Sequence, residues 1–187
     1  MHRPKLLGIS GSLRRDSFNT QILESIKQVI ADRTDFDVFR LNEVPLYNQD
    51  LDVAPAIPGV AALRDAIAEA DGVVIATPEF NYGIPGVLKN ALDWASRPYG
   101  KAALIGKPVL TFSSSPAFTG GVRAQAQLNE TLLAIGARLI VRPQTVIAEV
   151  HNKLQNGRLA DTASLDFLIA GVNDLITESA QPARKAA

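Results

Sequence analysis

The residues best suited to chemistry come early in the chain. Leu6–Asn19, LLGISGSLRRDSFN, starts as an apolar strand and ends as a helix. Between them lie Ser10, Gly11, Ser12, Arg14, Arg15, Ser17 and Asn19, against one carboxylate, Asp16. Such a loop suits a dianionic phosphate. Loop N–H groups and the free N–H groups of a first helical turn point at the anion, and the helix dipole favours negative charge there. Serine hydroxyls add donors, and arginine adds a charge-assisted fork. Gly11 permits a tight turn and a close approach of backbone to ligand. The alternative is structural: Ser17 or Asn19 caps the helix and the arginines are solvated. Neither G-x-x-x-x-G-K-[ST] nor G-x-G-x-x-G occurs, so nucleoside-triphosphate and pyrophosphate loops are not expected. Side-chain donors fit a terminal monophosphate.

Two further loops carry unusual chemistry. Thr77–Gly86, TPEFNYGIPG, combines prolines and glycines, which fix the backbone path, with Phe80, Asn81 and Tyr82. The aromatics could flank a flat ring, and the amide can donate and accept at a heterocycle edge. A rigid turn covering the sheet end explains the same residues. Ser113–Gly121, SSSPAFTGG, offers hydroxyls and exposed backbone; an ordinary strand-to-helix connector explains it too.

Elements of alternating type must position these loops. Strands are expected at Lys5–Ser10, Asp37–Leu41, Gly72–Thr77, Lys107–Ser113 and Arg138–Ile147. Helical spacing of apolar residues predicts helices over 18–32, 59–70, through Leu88–Ala95, over 122–136, and through Leu165–Ile176. Residues 42–58, with Pro45, Pro55 and Pro58, form a long irregular stretch: a wall beside a site or a surface excursion. Glu149–Gly157 reads as a polar turn region. The last residues, 180–187, are expected to fray. This alternation calls for an α/β three-layer sandwich, a parallel sheet with helices on both faces. With five strands the order is the flavodoxin-like 2-1-3-4-5. Ligands then sit outside the carboxyl ends of the strands, where the order switches between strands one and three. The three loops above meet there and describe a site for a phosphate at one end and a planar polar ring at the other. FMN has that shape.

Composition bounds the rest. The chain has 187 residues, the length of one domain, and is 47% hydrophobic with 19 basic and 19 acidic side chains. That balance gives no electrostatic support for nucleic-acid or membrane-surface binding. No apolar run reaches the roughly 20 residues of a membrane span. The basic start, MHRPKLLGIS, reads as the first strand rather than a leader. There is no cysteine, hence no disulfide, thiolate nucleophile or Cys-ligated metal, which is compatible with a cytoplasmic protein. His2 and His151 lie far apart and read as surface residues, so no metal site is expected.

SGSLRRDSFN (10–19), PEFNYGIPGVLKNALDW (78–94) and SSSPAFTGGVRAQAQL (113–128) resemble the NADPH-dependent FMN reductase family. They are closest to its bacterial branch of quinone, azo-compound and chromate reductases, and PLYNQDLD (45–52) resembles the same branch. The resemblance covers about residues 4–147. It implies an oxidoreductase with FMN as cofactor and NADPH or NADH as co-substrate. Hydride would pass to flavin N5, and then, in a ping-pong cycle, electrons would pass to a quinone, azo, chromate or flavin acceptor. No catalytic side chain is needed, because the flavin carries the chemistry. Ser10, Ser12, Arg14, Ser17, Phe18 and Asn19 would hold the phosphate end. Pro78, Glu79, Phe80, Asn81 and Tyr82 would line the ring and ribityl chain. Ser115 and the Gly120–Gly121 backbone would approach the far ring edge and offer donors to the reduced ring. Phe80 stands where tyrosine is usual, and Ser113, Ser114 and Ser115 are not separable by sequence. The resemblance also implies a homodimer or homotetramer. The helix bearing Leu88, Leu92 and Trp94 could supply the interface, or those residues could be core; Lys89 and Asp93 form a possible surface pair. A flavodoxin-like electron carrier without a nicotinamide site, and a flavin-free interaction protein, are the competing readings.

Overall fold

Alternating apolar side chains decide the layers. In β1 (Lys5–Ser10), β3 (Gly72–Thr77) and β4 (Pro108–Ser114), successive residues enter opposite cores, as the pleat requires. Leu7, Ile9, Val73, Ile75 and Val109 join one core with α2 (Pro58–Glu69), α3 (Gly86–Ala95) and α4 (Val122–Ile135). Leu6, Val74, Ala76, Leu110 and Phe112 join the other with α1 (Phe18–Val29) and α5 (Thr162–Ser179). A sheet buried on both faces reads as continuous apolar runs, and GVVIAT is one. The computed structural model describes residues 3–181. With β2 (Asp35–Arg40) the order is β2-β1-β3-β4-β5, all parallel, as expected for the flavodoxin-like fold. Among the described residues no helix is long and apolar enough to cross a membrane.

The fifth strand departs from expectation. Instead of one run over Arg138–Ile147 there are two short pieces, β5 (Arg138–Leu139) and β6 (Val146–Ile147), each paired with β4. Between them Val141 is 99% exposed. Arg142 leaves the sheet to reach α5, donating to Asp174 Oδ2 at 3.0 Å and the Phe167 carbonyl at 2.9 Å. Pro143 has no N–H to give a ladder. Gly171 of α5 makes room, since a Cβ there would collide with the Arg142 guanidinium.

Residues 149–157 hold more order than a polar turn. Leu154–Gln155 (β7) and Arg158–Leu159 (β8) form a hairpin whose turn residues, Asn156 and Gly157, both have positive φ, 51° and 76°. That is the Asn-Gly hairpin signal, legible in the sequence and missed. The Leu159 N–H donates to Ser25 Oγ of α1 at 2.9 Å, which docks the hairpin.

The stretch 42–58 is tied down rather than loose. Asn90 and Trp94 of α3 both donate to the Pro45 carbonyl, at 2.7 and 2.9 Å, and Tyr47 meets Trp94 edge-on with ring centroids 4.8 Å apart. Leu88, Leu92 and Trp94 are all buried, so of the two readings the core one holds. Lys89 and Asp93 pair at 2.6 Å on the exposed face. His151 is exposed; His2 and residues 182–187 of the tail expected to fray lie outside the described residues.

The cap of α5 yields a pH prediction. Asp161 accepts from the Ser164 N–H at 2.9 Å. Its carboxyl is held below its ordinary 3.8, first by hydrogen bonds from Ser164 and then by the charge of Lys153. A carboxylate whose folded pKa is depressed adds stability above the unfolded pKa, and that stability is lost as pH falls through the folded one. Asp161→Asn still accepts from Ser164 but carries no charge. It should melt below the parent at pH 7 and draw level as the pH is lowered below about 4; thermal melts across pH 2.5–7 read this.

Candidate functional site

The sheet register brings the three loops to one edge. Ser10 at the end of β1 pairs with Ala76, Ala76 pairs with Phe112, and Thr77 pairs with Ser113. The Gly11 N–H donates to the Ala76 carbonyl at 2.8 Å, which locks the first loop against β3. A Cβ on Gly11 would stand 3.0 Å from that carbonyl and from Leu88 Cδ2, so the close approach needs glycine.

In the first loop the predicted residues divide by role. Ser10 and Asn19 are buried and engaged: Ser10 Oγ with Thr20 Oγ1 at 2.8 Å, and Asn19 Oδ1 accepting from Ser114 Oγ at 3.0 Å. Ser17 caps α1, its Oγ accepting from the Thr20 N–H at 3.4 Å. These three build the loop. Arg14 is exposed, with its Cζ 4.6 Å from the centroid of the Phe18 ring, and the half-buried Ser12 accepts from the Arg14 N–H through its Oγ at 3.3 Å. The N–H groups of Ser12, Leu13, Arg15 and Asp16, and of Phe18 and Asn19 in the first turn of α1, have no partner among the described residues. Six unpartnered donors beside two exposed arginines at a helix N-terminus are the makings of an anion cradle.

The second loop is a tight turn. Phe80 and Gly83 exchange both backbone hydrogen bonds at 3.0 Å, which leaves Asn81 and Tyr82 at φ 50° and 67°. Asparagine tolerates this left-handed region; tyrosine adopts it rarely. Backbone held this way clusters at ligand clamps. The turn presents Phe80, 61% exposed, and Tyr82, 70% exposed. Pro78 is half-buried at its base. Glu79 points elsewhere: its Oε2 accepts from the Arg123 and Ala124 N–H groups, 3.0 Å each, at the start of α4.

In the third loop the three serines part company, because successive residues at a strand end face opposite ways. Ser113 Oγ is buried and unpartnered beneath Gly121. Ser114 bonds Asn19, and Ser115 Oγ accepts from the Ala117 N–H at 3.1 Å. Gly120 donates to the Ala117 carbonyl at 3.0 Å, and its φ of 62° and the packing of Val146 and Ala148 exclude a side chain. Phe118 stands out on that turn, 85% exposed. The first N–H groups of α4 are already taken, Val122 by Thr119 and the next two by Glu79. Donors to a ring edge must therefore come from the loop itself.

Two residues of α4 escaped the sequence reading. Arg123 lays its guanidinium 4.1 Å from the Tyr82 ring centroid, and Gln127 Oε1 accepts from the Ile84 N–H at 2.8 Å. Both lie within the stretch that matched by resemblance, but only the fold shows that they grip the second loop. A groove of about 690 Å³ runs between α3 and α4, lined by Lys89, Asp93, Arg97, Gln127, Glu130 and Ala134. It lies away from the first loop's anion cradle.

Comparison with known proteins gives the family and the fold. The family model described as NADPH-dependent FMN reductase matches residues 4–152. The chain is 36% identical over 165 residues to the NAD(P)H-dependent FMN reductase of Pseudomonas aeruginosa, spanning 88% of this chain and 89% of that one. It is also 36% identical over 168 residues to the quinone reductase of Escherichia coli, at 88% and 89% coverage. Among solved structures it is similar to FerB, the flavoenzyme NAD(P)H:(acceptor) oxidoreductase of Paracoccus denitrificans. The TM-score is 0.82 at 32% identity, covering 94% of this chain and 98% of that one.

Proposed function

This chain belongs to the NADPH-dependent FMN reductase family, and we propose that it is an FMN-dependent oxidoreductase working by alternate binding of NAD(P)H and an electron acceptor. The observation that carries the reading is the anion cradle of the first loop, placed at the switch between β1 and β3. Its free N–H groups, with Ser12 and Arg14, would hold the FMN phosphate, while Ser10, Ser17 and Asn19 keep the loop in shape. The Asn81–Tyr82 turn with Phe80 and Pro78 would flank the ring, and Ser115 with Gly120–Gly121 would bound its far edge. Bound FMN supplies the hydride and electron chemistry; the chain supplies binding, orientation and electrostatics.

Phe80, Tyr82 and Phe118 are exposed aromatics on pinned turns. They offer flat apolar faces to an incoming nicotinamide or quinone, since stacking on a rigid side chain costs little conformational entropy. Quinones, azo compounds and flavins, among the acceptors the family implies, are flat enough to use that surface. The whole chain acts as one FMN-binding domain in the cytoplasm. The groove between α3 and α4 is the surface on which a second copy would seat, giving a homodimer or a homotetramer.

The test is anaerobic. NADPH, with NADH in parallel, is mixed with the FMN-loaded protein, and absorbance is followed in the flavin bands. Bleaching within seconds, with colour restored by a quinone, is the expected result. Bound flavin that neither donor bleaches would mark an electron carrier and overturn the proposal.

A further inference from the structure

α4 starts on a glycine that cannot cap it. Gly121, at φ 91°, offers no side-chain oxygen to the N–H groups of the first turn. A Cβ at this position would lie 3.1 Å from Ser113 Cβ and 3.4 Å from Glu79 Cβ, so the usual capping residues are kept out. Glu79 supplies the acceptor from a different loop, one carboxylate oxygen taking both the Arg123 and Ala124 N–H groups at 3.0 Å. A carboxylate also suits the positive end of the helix dipole.

The same loop then folds into the turn that holds Asn81 and Tyr82 in the left-handed region. A tyrosine stays there only when its surroundings overdetermine it. Part of that constraint is the Phe80–Gly83 pair within the turn. The rest comes from α4: Arg123 against the Tyr82 ring and Gln127 on the Ile84 N–H. Arg123 and Gln127 are one helical turn apart, so they share a face. Glu79 fixes where that face begins relative to the turn.

We infer that Glu79 is a positioning residue: its carboxylate clamps the start of α4 and so holds the Asn81–Tyr82 turn in its ring-binding shape, without facing the ring. The inference rests on the proposal that this turn flanks FMN. It predicts a loss confined to the ring end of the site. General loosening would instead affect the phosphate end equally.

The experiment compares riboflavin, which has the ring and no phosphate, with FMN and with inorganic phosphate as a competitor of FMN. Binding is read by flavin fluorescence quenching on the flavin-free full chain. Glu79→Ala should bind riboflavin and FMN about tenfold more weakly than the parent, the loss expected for charge-assisted hydrogen bonds. The inhibition constant of phosphate should stay unchanged. Glu79→Gln should recover most of the loss, because its amide oxygen accepts from the same N–H groups. Should Glu79→Ala not fold, Glu79→Asp withdraws the carboxylate while keeping its charge and serves the same comparison. Parental riboflavin affinity in Glu79→Ala overturns the inference, as does an equal loss of phosphate competition or a failure of glutamine to rescue. A parent chain that binds neither flavin overturns the inference and the proposed function together.

Discussion

Exchange of Arg14 for alanine is expected to weaken FMN binding by about tenfold to hundredfold and to leave riboflavin binding as it is in the parent. Arg14 stands beside the free N–H groups of the first loop and has no carboxylate partner among the described residues. Its guanidinium lies over the Phe18 ring, which limits the orientations it must give up on meeting an anion. A guanidinium–phosphate fork is a charge-assisted pair, and losing it leaves the phosphate to backbone donors and Ser12. Arg14→Lys should fall between the two, since an ammonium keeps the charge and loses the planar fork. The loop is exposed to solvent, so added salt should weaken FMN binding more in the parent than in Arg14→Ala. Parallel fluorescence titrations with FMN and riboflavin read all of this. An unchanged ratio of the two affinities in Arg14→Ala would remove Arg14 from the phosphate site.

The second large effect is on stability. Trp94 is 1% exposed and joins α3 to the long stretch after β2. Besides its bond to the Pro45 carbonyl and its contact with Tyr47, its own carbonyl accepts from Arg64 Nε at 3.1 Å. Trp94→Ala removes the largest wholly buried side chain and leaves a cavity. Such changes cost about 3–5 kcal/mol, out of a total near 5–15 kcal/mol for an ordinary domain. For a chain of this size that corresponds to roughly 10 °C in Tm. Trp94→Phe keeps much of the packing and loses the indole donor, while Asn90 still satisfies the Pro45 carbonyl. Its cost should be nearer 1–2 kcal/mol. Urea and thermal melts followed by circular dichroism decide; a Trp94→Ala protein within 1 kcal/mol of the parent would mean that this contact is dispensable.

Where local pattern and tertiary demand agree, the chain could be read directly. GVVIAT is β3 to the residue, because only a strand covered on both faces needs so unbroken an apolar run. α4 ends at Gly136 with φ 91°, the left-handed stop that glycine favours. The three loops were legible for the same reason: strand order follows from alternation, and ligand loops follow from strand order. What was not legible depends on partners distant in sequence. Arg142 breaks the fifth strand because Asp174, the Phe167 carbonyl and Gly171 wait on α5. Glu79 reads as a ring-lining residue until the fold sets α4 against its loop. The division of Ser113, Ser114 and Ser115 needed both the pleat and the position of Asn19.

The proposed function puts FMN at the mouth formed by the loops after β1, β3 and β4, and not in the groove of about 690 Å³ between α3 and α4. A crystal structure of the chain with FMN decides between the two places. Density is expected for the phosphate within hydrogen-bond reach of the free N–H groups between Ser12 and Asn19 and of the Arg14 side chain, with the ring against the Asn81–Tyr82 turn. FMN seated in the groove between α3 and α4, or bound at the mouth with its phosphate turned away from the first loop, would contradict it.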